Sequence, residues 1–283
     1  MTMRIGNHPN NLHLFLAAQW PGFLDGLDAA FVPYAEGRAS AALLATGEID
    51  ICGTGSTPPI LAQAEGADIA YLAASAPRPA NGALVVGADA APMRAADLRG
   101  RRIALLDGSF HTYLLARVLE DAGLALSDVV RVELSPAASM RALNRGEVDA
   151  WIAMAPHLDR ALADGTIRLL ARCGDFIPNR SVFWTLRGRL PDAALDRFVE
   201  RLALLGQQIA ADPDRAARLL AETDDPDDIG AWRRIVSARD WRMTPADAPI
   251  LAEQQQEADI LYRHGALPAP VSVAAAARRP HRP

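Results

Sequence analysis

Short runs of apolar, β-branched residues recur along the first two thirds of the chain, at Met3–Ile5, Ile49–Cys52, Ile69–Ala73, Ala83–Val86, Arg102–Leu106, Val129–Glu133, Ala150–Ala153, Ile167–Ala171 and Val182–Leu186. Each has the length of a buried strand, and the stretches between them carry apolar residues at helical spacing, as in Leu114–Ala122 and Ala138–Asn144. Alternation of this kind predicts an α/β fold with parallel-rich sheets and helices on both faces. After about Pro191 the pattern turns helical: "PDAALDRFVERLALLGQQIAAD", "PDRAARLLAE" and "PADAPILAEQQQEADILYRHGAL" each place Pro and an acidic residue in the first turn. The closing "VSVAAAARRPHRP" has neither period and reads as a solvated, disordered end.

The pattern also repeats. "ALLATGEIDICGTG" (42–55) and "RALNRGEVDAWIAM" (141–154) both run from a helix through Gly-Glu, a β-branched residue and Asp into a strand, offset by 99 positions. Two similar lobes follow, one formed by 1–82 with 185–283 and the other by 86–180, with a cleft between them as the expected ligand site.

Composition narrows the chemistry. A net charge of −5 over 283 residues argues against nucleic acid as a partner. All 29 basic residues are Arg, which removes a Schiff-base or phosphate-loop lysine. Cys52 and Cys173 are the only cysteines, too few for a disulfide scaffold, and nothing in their spacing suggests a metal site or calls for a cofactor. No apolar run is long enough to span a membrane. "MTMRIGNHPN" enters a strand at once, with no charged-then-apolar leader. Either a signal segment was removed or lies upstream, giving a periplasmic protein, or the protein works in the cytoplasm.

Two loops stand out. In "DICGTGSTPPILAQAEG" a strand gives way to Gly53 and Gly55, which allow close backbone approach. The hydroxyls of Thr54, Ser56 and Thr57 follow, then a Pro58-Pro59 helix start whose amides could face an anion. A capped helix start with ordinary turn chemistry is the alternative. In "RRIALLDGSFHTYLLARVLEDAGL", Ser109 is a natural N-cap ahead of His111 and Thr112. A helix start in each lobe suggests a paired anion site.

With "DLRGRRIALLDGSFHTYLLARVLEDAGL", "GEVDAWIAMAPHLDRAL" and "AEQQQEADILYRHGALPAPV" added, the chain resembles the aliphatic sulfonate-binding proteins of ABC importers, within the sulfonate, taurine and nitrate periplasmic-binding group. The resemblance runs from about Met3 to Val273. It implies a two-lobed periplasmic-binding-protein type II fold with two crossovers, a small sulfonate or related oxyanion as ligand, and an ABC permease as partner. Its ligand loops fall on Asn7, His8 and Asn10, on Thr54, Gly55, Ser56 and Thr57, on Ser109 to Thr112, near Met154, Ala155 and Pro156, and around Asn179 and Arg180. Where the family commonly carries an aromatic and an Asp before the proline, Met154 and Ala155 stand here, a less polar wall.

Single residues allow two roles each. Arg180 could pair bidentately with a sulfonate or stand as a surface residue at the lobe return. Arg78 reads as solvated or interlobe. Trp151, Trp184 and Cys52 read as core, and Trp20 could cover an apolar ligand tail. His8 could donate to an oxyanion, act as a base or make a structural hydrogen bond. The enzyme alternative on the same fold is desulfinase-like or lyase-like, although the desulfinase nucleophile, a Cys in the first loop, is replaced here by His8.

Overall fold

The computed structural model describes residues 2–91 and 94–278. The described chain forms two compact units: residues up to Ala76, Arg180–Ala258 and the stretch from Ala269 make the first, Pro77–Asn179 and Asp259–Pro268 the second. The sequence-derived boundaries at 82 and 185 therefore move to 76 and 180. Gly82 already pairs with Met154 in the second sheet, and Val182 already pairs with Thr54 in the first.

In chain order the first unit opens with β1 (Met3–Asn7), α1 (Leu12–Ala17), β2 (Ala29–Pro33), α2 (Ser40–Thr46), β3 (Ile51–Thr54), α3 (Thr57–Ala64) and β4 (Ile69–Ser75). The second unit carries β5 (Gly82–Gly87), β6 (Arg102–Leu105), α4 (Phe110–Asp121), β7 (Val130–Glu133), α5 (Pro136–Asn144), β8 (Ala150–Met154), α6 (His157–Ala163), β9 (Ile167–Arg172) and α7 (Cys173–Phe176). The return to the first unit adds β10 (Val182–Leu186), α8 (Asp192–Ala211), α9 (Pro213–Leu220), α10 (Pro226–Ala238), β11 (Met243–Pro245) and α11 (Ala248–Arg263), whose last residues, from Asp259, count with the second unit.

The strand order is β11-β4-β10-β3-β1-β2 in the first sheet and β7-β6-β8-β5-β9 in the second. The sheets are mixed rather than parallel-rich. β1 runs parallel to β2 and β3, but β10 is antiparallel to both β3 and β4, and β11 is antiparallel to β4. Likewise β6 is parallel to β7 and β8, while β5 is antiparallel to β8 and β9. A parallel neighbour needs a full helical crossover to bring the chain back to the starting edge.

The repeated motif is a repeated latch. Asp50 accepts from the Arg4 backbone N–H at 2.9 Å and from its guanidinium at 2.7 Å, and Asp149 accepts from the Arg102 backbone N–H at 2.8 Å and from its Nε at 3.2 Å. Each Asp thereby ties the strand it precedes to the first strand of its βαβ unit. Gly47 and Gly146, at φ 77° and 68°, make the left-handed turns that end the preceding helices.

The first core packs Ile5, Leu14, Leu16, Phe183, Trp232 and Trp241 against the inner face of α8. That face carries Leu195, Phe198, Leu202, Leu205 and Ile209, the three-and-four spacing of a half-buried helix. Trp20 belongs to this core, 7 % exposed, with the Arg215 guanidinium 4.7 Å above its ring. Its side chain is thus packed inside the unit rather than presented to a ligand tail. The second core centres on Val85, Ala104, Trp151 and Leu158. Trp151, Trp184 and Cys52 are buried, as the sequence suggests.

The end of the chain departs from expectation. Val273 and Ala276 are buried in a short 3-10 helix, held by Gln255, which donates to Val271 O at 2.9 Å and accepts from Val273 N at 2.8 Å. Arg278 pairs with Asp192 and Asp196. The alternating Val271 and Val273, rather than any helical period, anchor this stretch. The part of the expected tail from 279 on lies outside the described residues. Among the described residues no helix is long and apolar enough to cross a membrane.

Candidate functional site

In the first unit the site elements lie at the carboxyl ends of β1 and β3. The β1 loop presents Asn7, half-buried, with an Oδ1 that accepts no hydrogen bond. Asn10 is exposed, and the structural amide of the turn is its neighbour Asn11, which caps α1 by accepting from Leu14 N at 3.1 Å. Asn11 Nδ2 has no acceptor. "PNNLHLFL" carries the N-cap signal for Asn11, and the sequence reading passed over it.

His8 is buried, 5.2 Å from the Tyr34 ring. Burial pushes its imidazole down to about 4, so it is neutral near pH 7. Its Nε2 lies 3.0 Å from Gly53 O, an acceptor only, so the neutral ring carries its proton on Nε2 and donates it to that carbonyl. Nδ1, left without a partner, is then a lone pair. His8 consequently presents no N–H to an oxyanion, and a group titrating near 4 is a weak general base at neutral pH.

The loop after β3 is held from within. Thr54 Oγ1 accepts from the Trp184 indole at 3.0 Å and donates to Gly55 O at 2.8 Å. Thr57 Oγ1 donates to Glu257 at 2.5 Å, and Ser56 O accepts from Gln254 at 2.9 Å. The Ser56 side chain makes no capping bond to α3. The hydroxyls of Thr54 and Thr57, expected as ligand donors, are therefore engaged by the fold, and what the loop offers an anion is chiefly backbone. Gly53 is required: a Cβ there would stand 2.6 Å from Asn11 Nδ2 and 2.7 Å from the Phe183 ring. Gly55 faces open space. Glu257, fully buried, is raised to about 7 by desolvation, only partly offset by the hydroxyls of Ser56 and Thr57. It sits in "AEQQQEADI", where neither periodicity nor motif marks it out.

In the second unit Ser109 caps α4 as expected, accepting from His111 N at 3.2 Å and donating to Leu106 O at 2.7 Å. Thr112 Oγ1 donates to Asp107 at 2.7 Å and accepts from Gly108 N at 3.0 Å. His111 is the mirror of His8. Its Nδ1 accepts from Leu106 N at 3.1 Å, which places the proton on Nε2, and that buried N–H has no partner. Burial holds this ring down to about 3. Met154 and Pro156 lie at the end of β8, where Ala155 N donates to Asn81 O at 3.2 Å.

Arg180 and Arg78 are both engaged by the fold. The Arg180 fork is filled by Glu253, with Nε and Nη2 at 2.6 and 2.9 Å from its carboxylate, and Nη1 donates to Ser75 O at 2.8 Å. Arg78, read from sequence as solvated or interlobe, is 7 % exposed and so is not solvated. Among the described residues no group of three or more His, Cys, Asp or Glu is arranged to hold a metal ion.

Two α/β units with mixed sheets, joined by paired chain crossings and bearing small-residue loops at the strand ends, define a protein of the periplasmic-binding-protein fold. The chain belongs to the NMT1/THI5-like family, whose model matches residues 10–167. It is 31 % identical over 255 residues to a protein of Escherichia coli (strain K12) named for binding aliphatic sulfonates, covering 86 % of this chain and 77 % of the relative. Among solved structures, the alkanesulfonate-binding protein of Xanthomonas axonopodis pv. citri bound to MOPS superposes with a TM-score of 0.86 at 29 % identity, over 98 % of both chains. The periplasmic aliphatic sulphonate binding protein of Escherichia coli gives 0.83 at 27 % identity, over 96 % of both.

Proposed function

We propose that this protein is the substrate-binding component of an ABC importer and captures a small sulfonate or related oxyanion for delivery to a membrane permease. The observation that carries the reading is the likeness, over nearly the whole chain, to an alkanesulfonate-binding protein at 29 % identity and a TM-score of 0.86. The site chemistry agrees with it: backbone amides at the start of α3, the capped start of α4 and the unpartnered His111 N–H are all donors. The candidate contacts are Asn7, Gly55 and the amides of residues 55–57 in the first unit, and Ser109, His111, Met154 and Pro156 in the second. His8, with its one proton held by Gly53 O, contributes shape and an acceptor. Relatives that work in the periplasm support the same compartment here. An export leader encoded upstream and neighbouring permease and ATPase genes would accompany this role.

Thermal melting with a panel of alkyl and aryl sulfonates, sulfate esters, nitrate and matched carboxylates tests the reading. A ligand bound by the folded state stabilises by RT ln(1 + [L]/Kd), about 2.7 kcal/mol at a hundredfold excess over Kd. Sulfonates should raise the midpoint more than matched carboxylates. A panel that shifts nothing removes the proposed ligand class.

A further inference from the structure

Arg78 follows the first crossing between units, Asn179 precedes the second, and the two are bonded to one another. Arg78 Nε donates to Asn179 O at 2.7 Å, its Nη2 to Asn179 Oδ1 at 2.9 Å, and its backbone N–H to Pro178 O at 2.9 Å. Both side chains are more than nine-tenths buried. Asn179 holds φ 47°, a left-handed conformation that side chains other than Asn and Asp rarely take. That conformation is what turns both of its carbonyl oxygens onto one guanidinium.

The pairing leaves an imbalance. Two half-buried arginines of the first unit have carboxylates, Arg180 with Glu253 and Arg189 with Asp50. Arg78 has none among the described residues; its guanidinium donates to the neutral oxygens of Asn179, and the titratable group acting on it is the buried Cys173 thiol. Burial lowers its guanidinium only to about 10, so it stays charged. A buried charge without a counter-charge is costly unless something else supplies one. Five N–H groups are present and two are taken, which leaves the end-on edge between Nη1 and Nη2. Beside it, Asn179 Nδ2 is a buried donor with no acceptor.

The same corner meets the candidate site of the second unit. Asn81 N donates to Arg78 O at 3.1 Å, and Asn81 O accepts from Ala155 N at 3.2 Å, between Met154 and Pro156. Gly82 pairs with Met154, and a Cβ on it would reach Phe110, next to Ser109, at 2.9 Å. We propose that Arg78 is the cationic anchor for the ligand's anionic head group, with Asn179 as the positioning residue that aims it and a second donor through Nδ2. The inference rests on the function proposed above and names the charge that function needs. A sulfonate, with one negative charge and three acceptor oxygens, fits the free guanidinium edge and the Asn179 Nδ2 donor beside it.

The test is calorimetric titration of 1-hexanesulfonate and of its uncharged analogue hexanesulfonamide, with melting of the ligand-free proteins alongside. Arg78→Met should weaken hexanesulfonate roughly 100-fold, with little change for the sulfonamide. Its ligand-free melting point should match or exceed that of the wild type, because an uncompensated buried charge is gone. Arg78→Lys, which keeps the charge and loses the fork, and Asn179→Gly, which keeps the left-handed backbone and loses the amide, should each weaken hexanesulfonate roughly 10-fold. Those two variants decide the matter if Arg78→Met does not fold. A wild type that binds no sulfonate overturns the functional reading itself. A wild type that binds, together with variants of unchanged affinity, overturns the anchor alone. A lowered ligand-free melting point with unchanged affinity would make Arg78 a structural clamp.

Discussion

Thr57 and Glu257, 200 residues apart in sequence, lie 2.5 Å apart hydroxyl to carboxyl, so the helix start expected to welcome a ligand's charge already holds a carboxyl of the protein itself. With desolvation raising Glu257 from 4.5 to about 7, the folded chain keeps a proton that the unfolded chain releases. Stability contributed this way is present below about pH 4.5 and is lost as pH rises to about 7, by on the order of 3 kcal/mol. Urea unfolding at pH 4.5 and pH 8 should show Glu257→Gln gaining on the wild type by about 2–3 kcal/mol across that interval. A difference that does not change with pH would mean the carboxyl titrates normally.

The two buried histidines act in the opposite direction. Their folded values of about 4 for His8 and about 3 for His111 lie below the ordinary 6.5, so the unfolded state takes up protons first as pH falls. Their contribution is present above about pH 6.5 and fades as the pH drops through 4 and then 3. His8→Gln should therefore lose ground to the wild type at pH 7.5 and recover it by pH 4. Hexanesulfonate affinity of the same variant should fall only a few-fold, since Nδ1 is an acceptor; a collapse in affinity would contradict the tautomer inferred from the Gly53 contact.

Gly53 and Gly55 separate fold from binding. Gly53→Ala forces a Cβ onto Asn11 and Phe183 at 2.6 and 2.7 Å and should cost about 1–3 kcal/mol or prevent folding. Gly55→Ala meets nothing within 4 Å, so its melting point should stay near that of the wild type while sulfonate affinity drops. Equal destabilisation by both would show that the loop is packed differently.

The repeated latch should be unequal in strength. Asp50 is fully buried and serves both Arg4 and Arg189, whereas the Asp149 side chain is 22 % exposed. Asp50→Ala should cost about 2–3 kcal/mol, because it removes the buried acceptor shared by the Arg4 backbone N–H and by two partly exposed guanidiniums. Asp149→Ala should cost nearer ~1 kcal/mol. Denaturant midpoints of the two variants check the ranking.

Ser109→Ala removes an N-cap that also donates to Leu106 O, and should destabilise the ligand-free protein by about 1 kcal/mol. A variant as stable as the wild type would argue that α4 is capped otherwise.

Strands were legible wherever burial was continuous, as at Ile69–Ala73 and Val182–Leu186. They were not at β2, whose "AAFVP" is half-exposed, nor at β11, only "MTP". Strand direction was invisible too, because a buried run reads the same either way, and β5 and β10 turned out antiparallel to their neighbours. The 42–55 and 141–154 repeat did point to two equivalent helix-to-strand connections, but not to the Arg partners of Asp50 and Asp149, which lie 46 and 47 positions away. The site loops were placed by small residues and helix starts, local features that sequence carries well. The use of their hydroxyls was not, since Glu257 and Trp184 reach Thr57 and Thr54 from distant parts of the chain. The burial of Arg78 is illegible in sequence for the same reason, since it depends on Asn179, 101 positions away.

The interleaving of β10 between β3 and β4 sets an order on how a nascent chain can assemble. The five strands of the second sheet all lie between residues 82 and 172, and can pair as soon as that stretch has left the ribosome. The first sheet must hold β3 and β4 apart until Val182–Leu186 emerges, with hydrogen-bonding edges of both strands open meanwhile. The part translated first is therefore the part completed last, and for the interval of about a hundred residues in between its unpaired edges are where a holding chaperone would be needed.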